Sequence, residues 1–357
     1  MHTRPKKILI VQTAFIGDVI LATPLAAAAH EVFGPSAVHF MAIPAAVNLL
    51  ERNPQIQRIW VYDKRGRQRG LRAWWQLAQE IRQERFDLAL VPHRSLRSAA
   101  LVRMANIPRR IGFDRSAGAP LFTDRVRYTA KHEVERNLDL LRPFGEISSS
   151  LKPSVYWDEA DAARVAPLLD ASPPSRRKLA LAPGSVWATK RWPEDRFASL
   201  ACRLIAECNA EVYLIGGRED VALCQSVQRR CGAHCHNAAG ILTLRQSAAL
   251  LDQCELLISN DSAPTHLGVA TRCRVLCIFG PTAPRFGFAP YGPGHDVIEK
   301  ELPCRPCSAH GSPKCPLGTH ACMLELSIDQ VLARAARMLE LRGRAPAGML
   351  QGLTARE

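Results

Sequence analysis

Repeatedly along this chain, in two blocks, a short apolar run gives way to a polar turn and then to a stretch with helical spacing. This alternation restricts the fold more than any other feature. The first run, Ile8-Leu9-Ile10-Val11, is uninterrupted and β-branched, as expected of a strand buried on both faces. The turn from Thr13 to Asp18, with Gly17 in it, follows, and the spacing from Val19 to Phe33 predicts a helix. Further strands are predicted at Ala37–Ala42, Ile59–Val61 and Leu88–Val91, with helical patterns at Leu71–Glu84 and Ser95–Met104 between them. From Pro143 to Pro174 the composition turns to Ser and Pro, which predicts a linker with one short helix around Asp158–Leu169. The alternation then restarts. Strands are predicted at Leu179–Leu181, Glu211–Ile215, Leu256–Ile258 and Val275–Phe279, and helices at Pro193–Cys208, Asp220–Cys231, Leu244–Leu251 and Ala263–Ala270. Strands alternating with helices imply parallel βαβ units. The expected fold is therefore α/β, with two Rossmann-like parallel-sheet domains facing a cleft. The expected divisions are 1–150, a linker 151–176, a second domain 177–326, a helix 327–342 and a small polar tail 343–357. Sheets of this kind bind ligands beyond their strand C-termini, where helices begin.

Charge separates the two halves. The 357 residues carry 47 Lys and Arg against 33 Asp and Glu, a formal net charge of +14. Residues 1–150 hold 23 of the basic and 13 of the acidic side chains, so most of the excess lies there and predicts an anionic partner for the first half. The apolar share of 47% excludes a disordered or collagen-like chain. All 12 cysteines lie at or after Cys202, which does not suit a secreted disulfide scaffold; Cys202, Cys208, Cys254 and Cys277 are expected as free thiols in a reducing compartment. Lys6-Lys7 followed by an apolar stretch resembles a signal peptide, but Asp18 falls inside that stretch and opposes membrane insertion.

Five segments have residues suited to chemistry. Ile258-Ser259-Asn260-Asp261-Ser262-Ala263-Pro264-Thr265-His266 runs from a strand into a helix with Pro264 in its first turn. It is either a well-capped helix alone or a phosphate cradle in which Ser262, Thr265 and His266 add donors. Pro183-Gly184-Ser185 with Lys190-Arg191-Trp192-Pro193 also links a strand to a helix. Its turn offers backbone N–H groups and Lys190 a mobile ammonium, unless that lysine is merely solvated. Asp18 is either a general base at the cleft edge or the cap of the helix it precedes. Cys304, Cys307, Cys315 and Cys322 have spacing that suits a structural zinc, reduced thiols or a redox disulfide. Lys64 to Trp75 joins five cationic side chains to Trp74-Trp75, which suits contact with anionic lipid or a solvated loop. Arg94 and Arg97, after the Leu88–Val91 strand, are placed to clamp carboxylates or phosphates of an acceptor.

Taken together, Lys7–Val11 with Ile16-Gly17-Asp18, the Pro-Gly-Ser … Lys-Arg-Trp-Pro segment at 183–193 and Ser259-Asn260-Asp261-Ser262 … His266 resemble the lipopolysaccharide heptosyltransferases. These are inverting GT-B glycosyltransferases of family 9. His93–Ser98, Arg110–Phe113 and His132-Glu133-x-x-Arg136-Asn137 fit the same pattern, and the resemblance covers about residues 6–340. The Cys-Arg-Pro-Cys and Cys-Pro-Leu-Gly elements at 304–318 resemble the heptosyltransferase II branch. The resemblance implies transfer of L-glycero-D-manno-heptose from ADP-heptose to a Kdo-lipid A or heptosylated inner-core acceptor, at the cytoplasmic surface of the inner membrane. It also implies a donor in the second half and an acceptor in the first, with no cofactor needed for the chemistry. Asp18 matches the family's base and Lys190 its diphosphate-contacting lysine; Asp261, Ser262, Ala263 and His266 match the donor-binding turn. Glu219 or Asp220 is the candidate for a ribose contact. The family often has Thr-Gly where this chain has Ser262-Ala263, and alanine lacks glycine's backbone freedom. Rival readings are a GT-B enzyme using another nucleotide sugar, a nicotinamide oxidoreductase, and a zinc-stabilised nucleic-acid binder. The chain lacks the Gly-x-Gly-x-x-Gly fingerprint of the second and any recognised nucleic-acid motif for the third.

Overall fold

Buried apolar runs form the two centres of the molecule. In a computed structural model, which describes residues 4–129, 131–170 and 173–340, the strands make two six-stranded sheets that are parallel throughout. The first comprises β1 (Lys7–Val11), β2 (Ala37–Ala42), β3 (Arg58–Val61), β4 (Leu88–Val91), β5 (Arg109–Phe113) and β6 (Asp124–Val126), in the spatial order β3-β2-β1-β4-β5-β6. The second comprises β7 (Arg177–Ala182), β8 (Ala210–Leu214), β9 (Cys235–Asn237), β10 (Leu256–Asn260), β11 (Arg274–Phe279) and β12 (Asp296–Glu299), in the order β12-β11-β10-β7-β8-β9. Counted from its own first strand, each sheet has the same winding. The strand order reverses between β1 and β4 in one and between β7 and β10 in the other. These reversals are where an open α/β sheet leaves a crevice, and all four flanking strands end in the candidate segments.

Ile8 to Val11 are fully buried, as a central parallel strand requires. The helix expected over 19–33 is two helices, Ile16–Ala22 and Pro24–Phe33. Proline has no N–H to donate, so it opens the second helix rather than continuing the first. Residues 16–33 form an 18-residue apolar stretch, two-thirds of it buried within the fold, where it packs as core. The short helix predicted in the linker is Glu159–Asp170; it lies against Leu244–Asp252 of the second lobe, and Arg245 Nε meets Asp161 Oδ2 at 3.0 Å. The C-terminal helix Ile328–Glu340 packs on Glu194–Glu207, also in the second lobe. The tail expected at 343–357 lies outside the described residues.

The lobes meet at several points, among them helix Val47–Leu50 against helix Leu244–Asp252, where the Arg245 N–H donates to Asn48 Oδ1 at 3.0 Å. Helix Ile16–Ala22 packs on helix Ala263–Val269, where a Cβ on Gly17 would stand 2.8 Å from His266 Cδ2. Beside it, the start of helix Glu133–Asp139 holds three carbonyls of the opposite lobe. Arg136 Nη2 donates to Phe286 O at 2.7 Å, the Glu133 N–H to Gly287 O at 2.8 Å, and His132 Nε2 bonds Ala289 O at 2.8 Å. His132 Nδ1 accepts the Val134 N–H, which leaves Nε2 as the donor.

Candidate active site

Between the lobes lies a cleft of about 770 Å³. Its walls include the loops beyond β1, β4, β7 and β10, in accordance with the placement rule for such sheets. Phe15–Asp18, His93 and Arg94 line it from the first lobe; Ser185, Lys190, Glu219, Asp261, Ser262, Ala263 and His266 line it from the second. The sequence segments therefore converge on one space.

Asp18 occupies both places that its position allowed, the start of a helix and the edge of the cleft. It sits in the first turn of helix Ile16–Ala22, where the Phe15 N–H donates to Oδ2 at 3.3 Å, and its carboxyl also lines the cleft. Burial pushes its pKa above the ordinary carboxylate range, opposed by the Phe15 hydrogen bond and by the charges of Arg94 and Lys190. Those two charges, one on each lobe, both act on a single carboxylate.

Lys190 is not a solvated lysine. Its Nζ lies 2.6 Å from Asp261 Oδ2, with the two side chains 12% and 6% exposed, and the Thr282 hydroxyl donates to the same oxygen at 2.6 Å. The turn bearing Lys190 is fixed from two sides. Asn260, at the end of β10, accepts the Trp192 N–H at 3.0 Å through Oδ1 and donates to Pro183 O at 2.8 Å through Nδ2, so one buried amide joins the loops beyond β7 and β10. From behind, Thr189 Oγ1 donates to Ser312 O at 2.7 Å and His320 Nε2 bonds Thr189 O at 2.8 Å. The Cys-rich segment therefore buttresses the lysine turn, and its His310 reaches the cleft.

Helix Ala263–Val269 begins at Ser262, whose side chain bonds Asn260 O at 3.3 Å and Gly184 O at 3.5 Å rather than capping the helix. Its first-turn N–H groups are thus left without a side-chain cap. Thr265, expected as a further donor to a ligand, is fully buried and bonded to Ser259 at 2.7 Å and to Asn260 O at 3.0 Å; it is structural. Burial lowers His266 to about 4, so it is neutral near pH 7, and its Nδ1 has no hydrogen-bond partner. His93, also lowered to about 4 by burial, bonds Thr13 Oγ1 at 3.0 Å.

The structure separates two pairs that the sequence left joined. Glu219 lines the cleft. Asp220 instead accepts the Gly217 N–H at 3.0 Å and packs against Gly184, where a Cβ would come within 2.1 Å of its Oδ1. Arg94 lines the cleft with its guanidinium 4.3 Å from the Tyr128 ring centre. Arg97, expected beside it, is corrected. It lies in the helix Leu96–Met104, where Nη2 donates to Gln68 O at 2.6 Å and Arg69 O at 2.9 Å, holding the basic loop instead of a ligand. Arg65, Arg115 and Glu133 line the cleft without having been singled out as site residues. Arg115 follows β5, whose opening arginines hid the strand; the rule of strand C-termini would have found it. Burial raises the Glu133 pKa, and Arg136 Nε donates to its Oε2 at 2.9 Å.

Cys304, Cys307, Cys315 and Cys322 line one small cavity of about 10 Å³. Backbone hydrogen bonds from His320 and its neighbours pull the Cys315 thiol below its usual pKa. Among the described residues, however, no group of three or more His, Cys, Asp or Glu side chains is arranged to hold a metal ion.

Residues 74–317 match the family model for glycosyltransferase family 9 (heptosyltransferase). The chain is 28% identical over 298 residues to lipopolysaccharide heptosyltransferase 2 of Salmonella typhimurium, covering 78% of this chain and 84% of that protein. Relatives of similar identity include lipopolysaccharide heptosyltransferases 3 and 1. The fold matches a family 9 glycosyl transferase from Veillonella parvula with a TM-score of 0.83 at 23% identity, over 96% of this chain and 99% of that one. It matches the ADP-heptose lps heptosyltransferase II of E. coli with a TM-score of 0.78 at 23% identity, over 94% and 99%.

Proposed function

This chain belongs to glycosyltransferase family 9, the heptosyltransferases, and we propose that it transfers L-glycero-D-manno-heptose from ADP-heptose to the lipopolysaccharide inner core, with inversion. One observation carries this reading. A carboxylate of the first lobe and a lysine of the second line the same cleft, each beyond a strand at its sheet's reversal point. The acceptor hydroxyl gives its proton to Asp18 as its oxygen bonds the anomeric carbon. The carbon–oxygen bond to ADP breaks on the opposite face, and its electron pair leaves with the β-phosphate. A carboxyl raised by burial suits proton acceptance. Lys190 opposes the charge growing on the leaving diphosphate from a fixed position. Ser185, Asp261, Ser262, Ala263 and His266 stand with it on the donor wall and Glu219 on its ribose side, while Arg94 faces an anionic acceptor.

The second heptose is the proposed product. The Cys-Arg-Pro-Cys and Cys-Pro-Leu-Gly elements support that branch, as does the likeness to type 2 enzymes. The acceptor is lipid-borne, so we place the enzyme at the cytoplasmic face of the inner membrane. The start of helix Leu71–Gln83 supports this: Leu71 is 83% and Trp75 52% exposed, close in sequence to Arg65, Arg67, Arg69 and Arg72. The test is incubation with ADP-heptose and purified Kdo-lipid A, with and without one heptose attached, read by product mass. Transfer only to the heptosylated acceptor is expected. Transfer only to the bare acceptor refutes the branch, and transfer to neither refutes the reading.

A further inference from the structure

Three thiols that the active site does not use stand together on the donor lobe. Cys202 lies within helix Glu194–Glu207, Cys231 is the last residue of helix Val221–Cys231, and Cys235 is the first residue of β9. Cys202 Sγ and Cys231 Sγ are 2.7 Å apart, and Cys231 is also in hydrogen-bonding contact with Cys235. The two helices pack along each other, so residues 29 positions apart in sequence are brought into contact by tertiary structure. Neither Cys202 nor Cys231 is fully buried, which leaves them open to a small reagent. The pair also stands at the far side of the sheet from the cleft, because Cys231 ends a helix just before β9 begins and the cleft lies beyond the strands' other ends.

We propose that Cys202 and Cys231 are an oxidisable dithiol, which a two-electron thiol oxidant closes into an intrachain disulfide tying the two helices. With diamide, an azo compound, one thiolate adds across the N=N bond. The second thiolate attacks the sulfur of that adduct and expels the hydrazine. One S–S bond forms and two S–H bonds are lost, and both protons and both electrons end on the hydrazine. The thiolate is the reacting form. Burial pushes Cys202 up to about 11, and the Cys235 hydrogen bond and burial push Cys231 up as well. The pair therefore closes slowly near neutral pH, and its rate rises roughly tenfold per pH unit.

The test treats the full chain, first reduced, with diamide, alkylates the remaining thiols and maps peptides without reductant. A Cys202–Cys231 cross-link that dithiothreitol reverses is expected. Its formation should raise the thermal midpoint by several degrees and leave heptosyl transfer within about twofold, since the pair is remote from the cleft. Cys202→Ser should abolish both cross-link and shift. Cross-linking of Cys231 to Cys235 instead, alkylation of Cys202 and Cys231 after treatment, or a midpoint shift that persists in Cys202→Ser overturns the proposal. If Cys202→Ser fails to fold, the wild-type peptide map alone decides.

Discussion

Replacing Lys190 separates what the lysine does for the fold from what it does for the donor. The Lys190–Asp261 pair is almost wholly removed from water, at 2.6 Å. Lys190→Met keeps most of the stem but leaves Asp261 as a buried carboxylate without its cation. Breaking such a pair costs about 3–5 kcal/mol. The Thr282 hydroxyl still donates to that carboxylate, so the cost should fall at the lower end, about 3 kcal/mol. For a lobe of this size that corresponds to a fall in midpoint of roughly 6–12 °C. The double variant Lys190→Met/Asp261→Asn removes both charges, and should return to within about 1–2 kcal/mol of the wild type. Nucleotide affinity should not return with it. Losing one charged contact to a diphosphate is worth about 1.5–3 kcal/mol, roughly 10- to 150-fold in Kd for ADP. Urea unfolding of the three proteins measures the first quantity and calorimetric ADP titration the second. A double variant that recovers both stability and ADP affinity would show that Lys190 serves only the fold. A single variant that loses neither would refute the pairing itself.

Asp18→Asn should cut turnover by roughly 10²- to 10⁴-fold while changing ADP affinity little. The same change should stabilise the fold at neutral pH. The folded carboxyl has a raised pKa, so the native state binds this proton more tightly than the unfolded chain, and stability falls as pH rises from the unfolded pKa through the folded one. Urea midpoints of the two proteins at pH 7 check the direction; a less stable Asp18→Asn contradicts it. In the wild type, kcat/KM should rise with pH along an acid limb above the ordinary carboxylate range, since the base must be ionised, and a limb at or below pH 3.8 would exclude Asp18 as that base. Gly17→Ala places a Cβ against His266 and should cost about 1–3 kcal/mol, with a loss of transfer activity, measured by thermal melting and initial rates. Arg94→Ala should raise KM for the anionic acceptor at least tenfold, whereas Arg97→Ala, whose guanidinium holds the 63–70 loop, should lower the thermal midpoint more than it changes ADP affinity.

The strands nearest each sheet's centre were legible because burial on both faces writes an unbroken apolar run. β1, β2 and β4 match their predicted spans or lie within a residue of them. The missed strands carry other signals. β5 opens with two arginines, β6 and β9 are three-residue edge strands with too few positions to show a period, and β12 is a four-residue edge strand with an acidic residue at each end. The loops that carry Asp18, Lys190 and Asp261 were legible as strand-to-helix turns. Their partners were not, because the lysine pairs with a carboxylate 71 positions away and is buttressed by Ser312, a contact no local pattern encodes. Arg94 and Arg97 show the same limit at short range. Three positions apart, one faces the cleft and the other holds a loop, and the helix start between them decides which.

The grip of His132, Glu133 and Arg136 on the carbonyls of 286, 287 and 289 restricts how this enzyme admits a substrate. Three bonds to a short run of one strap act as a door's pin. Any movement that keeps them intact is a swing about that line, while sliding or pulling apart would break all three at once. The opening through which nucleotide enters should therefore widen most at the side far from Phe286, and a bulky group near that residue should meet a wall that does not yield.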